Sequence, residues 1–514
     1  MLYPRMLALF RLWFLPLAAF ADECEDPNAT SWIQMKLHYE LTEKSDEGYY
    51  WAKRGGDRFT SSSVNWSVPD ISQTPSWIWP NLDHEQVRHS PLIDDHLDIY
   101  VTTTTKVRKF DQLGNLLWTW HQGEKMVTAP TLYRGKIYCL AGCGSDKMHI
   151  YAIHMENGTV DWNVTMSGRC GLEANSLLAV RSTLVMPFAD PSDPVLRVGG
   201  ANGLRAVSTG NGTHLWDFQT DDIFWNFAPS AIDDSSLIFS ASCGAVYRLS
   251  LSTGQVIWKV SSPHPDPWPF MCGTGGGAMG PNGIFYAESN VNKSAKAGRV
   301  AAYDASNGQK LWQKNMDEGY EGIQYPAVGR LGPNGKLAVV VGVGQNTGLP
   351  PLLKGEATQK YLTDPEFRAE MQVPHFNNRV MALDAATGET LWQYDEPVWD
   401  HFGAAGDEER AFFEPGAISS IDGMICLPDA QGIPVINQFD GTVFFSSSHS
   451  GNLTAIRDSN NDGIIDASEV KNFAPGIAFL NSPSMAPGLL VAAPCWGPVY
   501  TFKQTAATAD VSSA

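Results

Sequence analysis

Twelve consecutive residues carry the oxygen-donor spacing of an EF-hand calcium loop: Asp458-Ser459-Asn460-Asn461-Asp462-Gly463-Ile464-Ile465-Asp466-Ala467-Ser468-Glu469. Asp458, Asn460 and Asp462 hold positions 1, 3 and 5, and Gly463 at position 6 permits the sharp bend. Ile464 at 7 offers its carbonyl, Asp466 at 9 acts through water, and Glu469 at 12 chelates with both oxygens. Calcium is a hard cation that takes about six to eight oxygens. Carboxylates packed this closely repel one another unless a cation sits among them. A solvated Asp/Asn/Gly turn would explain the composition but not the match at every position. Leu453-Thr454-Ala455-Ile456 reads as a strand that enters the loop directly, without an entering helix. The arrangement suits a structural staple of the extracellular kind, with affinity on the order of 10⁻⁴ to 10⁻³ M.

The other chemistry-bearing types are sparser. Eight cysteines occur, at 24, 139, 143, 170, 243, 272, 426 and 495, with no haem-attachment motif and no zinc-type pair of CxxC steps. Cys139 and Cys143 flank a turn, where a local disulfide and two plain buried thiols fit equally well. Phe270-Met271-Cys272-Gly273-Thr274-Gly275-Gly276-Gly277 shares only its glycines with a phosphate loop, lacking the lysine.

The elements that must position these groups are written as a repeat. Units of thirteen residues end in Trp118, Trp162, Trp216, Trp258, Trp312 and Trp392, spaced 44, 54, 42, 54 and 80 apart. Each opens on a strand of period two, as in Val380-Met381-Ala382-Leu383-Asp384. A Gly turn follows, and a second strand closes on the Trp. The upstream residues read as another strand pair, so each period makes a four-stranded antiparallel sheet, and sheets repeated radially form an all-β propeller. A seventh blade is legible in Thr442–Asp458 and an eighth in Asn481–Lys503. The eighth lacks its Trp strand, and Trp77 and Trp79, outside any repeat, supply one from the N-terminal side. The expectation is eight blades, with seven as the competing count, closed by an N-terminal strand that removes an open sheet edge.

The repeat V-x-A-L-D-x-x-T-G-x-x-x-W resembles that of the pyrroloquinoline quinone (PQQ) enzymes, from Trp51 to Lys503, and Trp51-Ala52-Lys53-Arg54-Gly55-Gly56-Asp57 is similar to their opening segment. That resemblance implies either of two functions: the family includes eight-bladed alcohol dehydrogenases and non-catalytic relatives in outer-membrane assembly. In the enzymes PQQ lies between a Trp and a vicinal Cys-Cys disulfide, beside Ca²⁺ and an Asp base. This chain has no adjacent cysteines. Gly342-Val343-Gly344-Gln345-Asn346-Thr347-Gly348 resembles the segment carrying the metal-ligand Asn, and Val398-Trp399-Asp400-His401 resembles the later Trp-Asp segment. The resemblance thus implies Gln345 or Asn346 at the metal-ligand Asn, and Asn346 and Trp399 as PQQ-contacting residues. The expected carboxylate base is replaced by Pro374-His375-Phe376-Asn377-Asn378-Arg379, leaving His375 or His401 as candidate bases. Between these segments Asp364 and Pro365 open a short helix running to Met371. The expectation is a calcium-binding interaction scaffold for a protein or carbohydrate partner. The alternative is a PQQ-dependent dehydrogenase oxidising an alcohol or sugar.

Arg5 and Arg11, the apolar run Leu12–Leu17 and Ala19-Phe20-Ala21 read as a secretory signal over residues 1–21. Residues 22–62 then lead into a propeller over 63–505, and 506–514 form a tail. Without residues 1–21 the chain has 34 basic and 55 acidic residues, a net of −21, which disfavours nucleic acid and anionic lipid as partners. No later run is apolar enough to span a membrane. Sequons at Asn28, Asn65, Asn157, Asn163, Asn211, Asn292 and Asn452 fit a secreted or luminal glycoprotein, although Asn157 and Asn211 also sit in Asn-Gly turns.

Overall fold

The computed structural model describes residues 48–504 except 84, 144, 171–174, 191–200, 225–226, 264–275, 292–296, 323, 346–363, 365, 368–374, 402 and 408–430. The signal segment, Asn346, Cys272, Cys426 and most of the helix begun at Asp364 therefore lie outside the described residues. Where that helix starts, the Asp364 carboxylate accepts from the backbone N–H groups of Glu366 and Phe367, as a cap does.

Each repeat period folds into one antiparallel sheet, and eight such sheets make the propeller. Blade 1 comprises Leu92–Ile93, Ile99–Thr102, Lys106–Phe110 and Leu116–His121, and the blades follow in chain order. Eight, not seven, is the count because Trp77–Trp79 joins Val499–Lys503 as the outer strand of blade 8, with Trp77 opposite Thr501. The inner strands are buried along their length, whereas outer strands such as Val160–Ser167 alternate between exposed and half-buried.

One device joins most blades. The repeat Trp, near the start of its outer strand and not at its end, leans onto the Gly turn of the next blade and donates its indole N–H to a carbonyl there. The pairs are Trp77 to Gln112, Trp118 to Met155, Trp162 to Thr209, Trp216 to Leu251, Trp258 to Ala305 and Trp312 to Ala385, at 2.9–3.2 Å. The turn glycines, Gly114, Gly158, Gly212, Gly254, Gly308 and Gly388, have φ between +68° and +89°, and a Cβ on any of them would lie 2.6–2.9 Å from the Trp ring. Glycine is thus required twice, by backbone conformation and by the ring against it.

Residues 51–67 do more than lead into the ring. Trp51 bridges to Ile93 of blade 1, and the Ala52 carbonyl accepts from Leu132 of blade 2. The carbonyls of Arg58, Phe59, Ser61, Ser62 and Ser67 then accept from Ala231, Met279, Val328, Ile436 and Gly488 in blades 4 to 8. The segment thus meets seven of the eight blades in turn, and Ser63–Val64 adds a parallel strand to blade 7.

Cys139 and Cys143 form neither of the expected arrangements. Cys143 pairs with Cys170, Cα atoms 5.0 Å apart, while Cys139 is a free buried thiol. Cys139 points into the core from within the strand Lys136–Ala141, whereas Cys143 lies past the strand end, facing the loop after the outer strand. Cys243 and Cys495 are also disulfide-bonded.

Candidate functional site

The twelve-residue acidic loop stands where the other blades place a Gly turn. It links Leu453–Ile456 to Val470–Phe473, which pair antiparallel with Ile456 opposite Val470. Blade 6 therefore meets a loop instead of a turn, and Gly463 takes the close approach, where a Cβ would lie 2.8 Å from the Leu391 carbonyl. The side chains turn inward on their own backbone. Asp458 accepts from the N–H groups of Asp462 and Gly463, and Asn460 accepts from the same Asp462 N–H. Glu469 reaches back across the loop to the Ser459 N–H and hydroxyl and to the Asp466 N–H. Those donors hold its carboxyl below the usual range. Gly463 at φ +78° and Asn461 at +58° make the bend. Asp466 caps the one-turn helix Ala467–Glu469, which returns the chain to its strand. Side-chain oxygens at positions 1, 3, 5 and 12, with no nitrogen or sulfur ligand among them, fit a hard oxygen-seeking cation. A cavity of about 390 Å³ lined by Trp392, Leu331, Asp458, Ser459 and Asn461 lies alongside the loop. Another acidic group among the described residues, Asp94, Asp95 and His96, is a turn whose Asp94 oxygens already accept from His96, Asp98 and Tyr100.

A second cluster lies at the mouth between blades 6 and 7. The two segments that the sequence marks separately come together: Phe376 and Trp399 exchange backbone hydrogen bonds at 3.1 and 3.0 Å. This places His375 Nδ1 in a hydrogen bond with Asp400, both side chains more than half exposed. Trp399 donates its indole N–H to the Gly403 carbonyl, and the His401 ring lies 4.0 Å from it at 30°. His449 is parallel to Trp399 within 7°, at 6.4 Å. His401 thus covers one face of the indole. The chain has no adjacent cysteines to form the vicinal disulfide of the PQQ enzymes.

Two groups here carry no sequence motif. Glu396 is buried at the end of the blade 6 outer strand and accepts from Asn378, from Ser447 at 3.0 Å and from Ser450 at 3.4 Å. Burial pushes its carboxyl up to about 7 against those donors. Burial holds the His449 imidazole down at about 4. The signal for Glu396 was its place directly after the repeat Trp strand, where it faces the Ser446-Ser447-Ser448 run of the next blade.

The PQQ-repeat family model described as outer membrane protein assembly factor BamB matches residues 73–260 and 296–478. Tetrathionate hydrolase of Acidithiobacillus ferrooxidans is 22% identical over 347 residues, 63% of this chain and 58% of that protein. The match thus spans less than two thirds of that relative. BamB of Moraxella catarrhalis superposes with a TM-score of 0.53 at 12% identity, over 84% of this chain and 99% of that one. A europium-containing methanol dehydrogenase gives 0.57 at 10% identity, over 91% of this chain and 100% of that one. Quinohemoprotein alcohol dehydrogenase of Comamonas testosteroni gives 0.54 at 13%, over 93% and 84%. Likeness at this identity speaks to fold alone.

Proposed function

The chain belongs to the PQQ-repeat β-propeller family of the outer membrane protein assembly factor BamB, and from that premise we propose that it is a calcium-stapled binding scaffold of an oxidising, secretory compartment. The observation that carries the calcium reading is the substitution of one blade's Gly turn by a twelve-residue loop with oxygen donors at positions 1, 3, 5 and 12. Asp458, Asn460, Asp462 and Glu469 would hold the ion by side chains, Asp466 through water and Ile464 by its carbonyl. The ion would neutralise carboxylates that must otherwise stay close at the blade 6 to 7 junction. The Cys143–Cys170 disulfide supports the compartment, because such bonds persist outside the reducing cytosol.

The scaffold's partner, a protein or a carbohydrate, would dock at the mouth between blades 6 and 7. There Trp399 offers an aromatic ring beside the exposed polar pair His375 and Asp400. The alternative, a quinone-dependent dehydrogenase, is favoured by one observation: Asp400 orients His375 as a proton acceptor, in the segment where the family's carboxylate base is missing.

Calorimetric titration of the mature protein with Ca²⁺ tests the calcium reading. One saturable site, lost in Glu469→Gln, is the expected result. Calcium uptake equal in wild type and variant would overturn it.

A further inference from the structure

Three Gly turns of the ring place Asn directly before the glycine: Asn157-Gly158 in blade 2, Asn211-Gly212 in blade 3 and Asn307-Gly308 in blade 5. The three are alike. Each Asn is exposed, and each glycine has φ between +72° and +78°. Each Asn side-chain oxygen accepts from the backbone N–H two residues on, at 3.0 Å from Thr159, 3.1 Å from Thr213 and 2.8 Å from Gln309. That N–H is all an Asx turn needs, so the fold accounts for the three asparagines and leaves the residue after the glycine open.

At that open place the six repeat turns carry Asn115, Thr159, Thr213, Gln255, Gln309 and Glu389. A hydroxyl stands in two of them, and both have Asn before the glycine. Packing does not ask for it, since Thr159 and Thr213 are exposed. The Thr159 hydroxyl turns back on its own asparagine and donates to Asn157 Oδ1 at 2.6 Å. Both bonds fall on Oδ1, which leaves the amide nitrogen to solvent. The turn lies within one hairpin, an element that forms in about 1–10 μs and does not wait for the ring to close.

Other sequons among the described residues are held differently. The Ser67 hydroxyl, in the sequon of Asn65, donates to Gln504 at 3.2 Å. Thr454, in that of Asn452, is 1% exposed with its hydroxyl on Asn472 at 2.7 Å. Asn163 lies within a paired strand, opposite Tyr151.

We propose that Asn157 and Asn211 are N-glycosylation sites on the solvent-facing turns of blades 2 and 3. The donor is an oligosaccharide carried on a lipid pyrophosphate. Nδ2 attacks the anomeric carbon of the sugar; the N–C bond forms, and the bond from that carbon to the pyrophosphate oxygen breaks. Nδ2 gives up one proton, the lipid pyrophosphate leaves, and nothing is oxidised or reduced. Each sugar then stands beside an exposed aliphatic side chain of its own outer strand, Val160 at 39% and Leu215 at 43%, where a bulky polar group favours solubility. The assignment rests on the secretory reading of the chain, because such donors face the lumen of that pathway.

The test is secretion of the full chain from a eukaryotic cell line, sugar release by peptide N-glycosidase in heavy-oxygen water, and peptide mass spectrometry, in which each asparagine that carried sugar appears as a heavy-oxygen aspartate. The expected result is label at Asn157 and Asn211. Thr159→Ala and Thr213→Ala keep the turn, because the backbone N–H remains, and each should lose the label at its own asparagine alone. Gln309→Thr should add a label at Asn307, which sits in the same turn without the hydroxyl. Label that persists in the Thr variants is spontaneous deamidation of the Asn-Gly step, and it overturns the assignment. Secreted protein unlabelled at both positions does so too. Residues 22–514 behind a standard secretion signal separate the two readings. Sugar on that chain alone means that residues 1–21 are not a signal and the sites stand, whereas its absence there as well removes the sites.

Discussion

Replacing Gly254 by Ala tests the seam that joins the blades. Gly254 has φ +68°, and its added Cβ would lie 2.6 Å from Trp216 Cε3 and 2.7 Å from Cδ2. The left-handed conformation costs about 1–2 kcal/mol for any residue with a Cβ. The steric conflict adds about 1–3 kcal/mol. Trp216 cannot easily withdraw, being 6% exposed with its indole N–H bonded to the Leu251 carbonyl at 2.9 Å. Gly123 is the control, since it has φ +81° with nothing within 4 Å of the added Cβ. Gly254→Ala should therefore lose about 2–5 kcal/mol and Gly123→Ala only about 1–2, read from urea midpoints at unchanged slope. Combining Gly254→Ala with Trp216→Leu should lose less than the sum of the two, by about 1–3 kcal/mol, because the smaller side chain relieves the conflict. Equal losses at Gly254 and Gly123, or strict additivity with Trp216→Leu, would refute the seam as the reason glycine is needed.

Three further outcomes follow from particular residues. Calcium should raise the melting temperature of the wild type and leave that of Asp458→Asn/Glu469→Gln unmoved, since the ion stabilises by mass action on the folded state alone. Cys143→Ser should cost about 3–4 kcal/mol from the released loop, given a separation of 27 residues, seen as a lowered denaturant midpoint that reducing agent does not lower further by way of this bond. Glu396, raised from 4.5 to about 7, keeps its proton in the folded state after the unfolded chain has released it. Its stabilising contribution is therefore full below about pH 4.5 and declines as pH rises to about 7, by on the order of 3 kcal/mol. Glu396→Gln should erase that slope. His449, held at about 4, contributes the opposite slope between pH 4 and 6.5, so the measurement is the difference between wild type and Glu396→Gln, and parallel pH curves for the two would count against the assignment.

The ring was legible because its units are local. A strand, a Gly turn and a closing Trp lie within thirteen residues, so the period is visible without knowing what packs against what. The closing strand was legible by elimination, since Trp77 and Trp79 belonged to no repeat while the last blade lacked its outer strand. The acidic loop was legible because its donors are also local, and its place between two paired strands followed from Leu453–Ile456 entering it. What stayed hidden depends on distant pairings. The path of residues 51–67 across the ring is set by carbonyls that meet blades hundreds of residues away, as Ser62 meets Ile436. The Cys143 partner lies beyond a whole hairpin, at Cys170. Glu396 looks like a surface acid after a Tyr-Asp pair until Asn378 and Ser447 close around it.

The measurement that bears most directly on the binding-scaffold account is titration of the purified mature protein with PQQ in millimolar Ca²⁺, following quinone absorbance, then adding primary alcohols or sugars with an artificial electron acceptor. The account predicts no saturable change in quinone absorbance and no substrate-dependent reduction of the acceptor, because the chain has no adjacent cysteines for the vicinal disulfide of a quinone sandwich. Stoichiometric PQQ binding with substrate-dependent turnover would contradict it and make the chain a quinoprotein dehydrogenase.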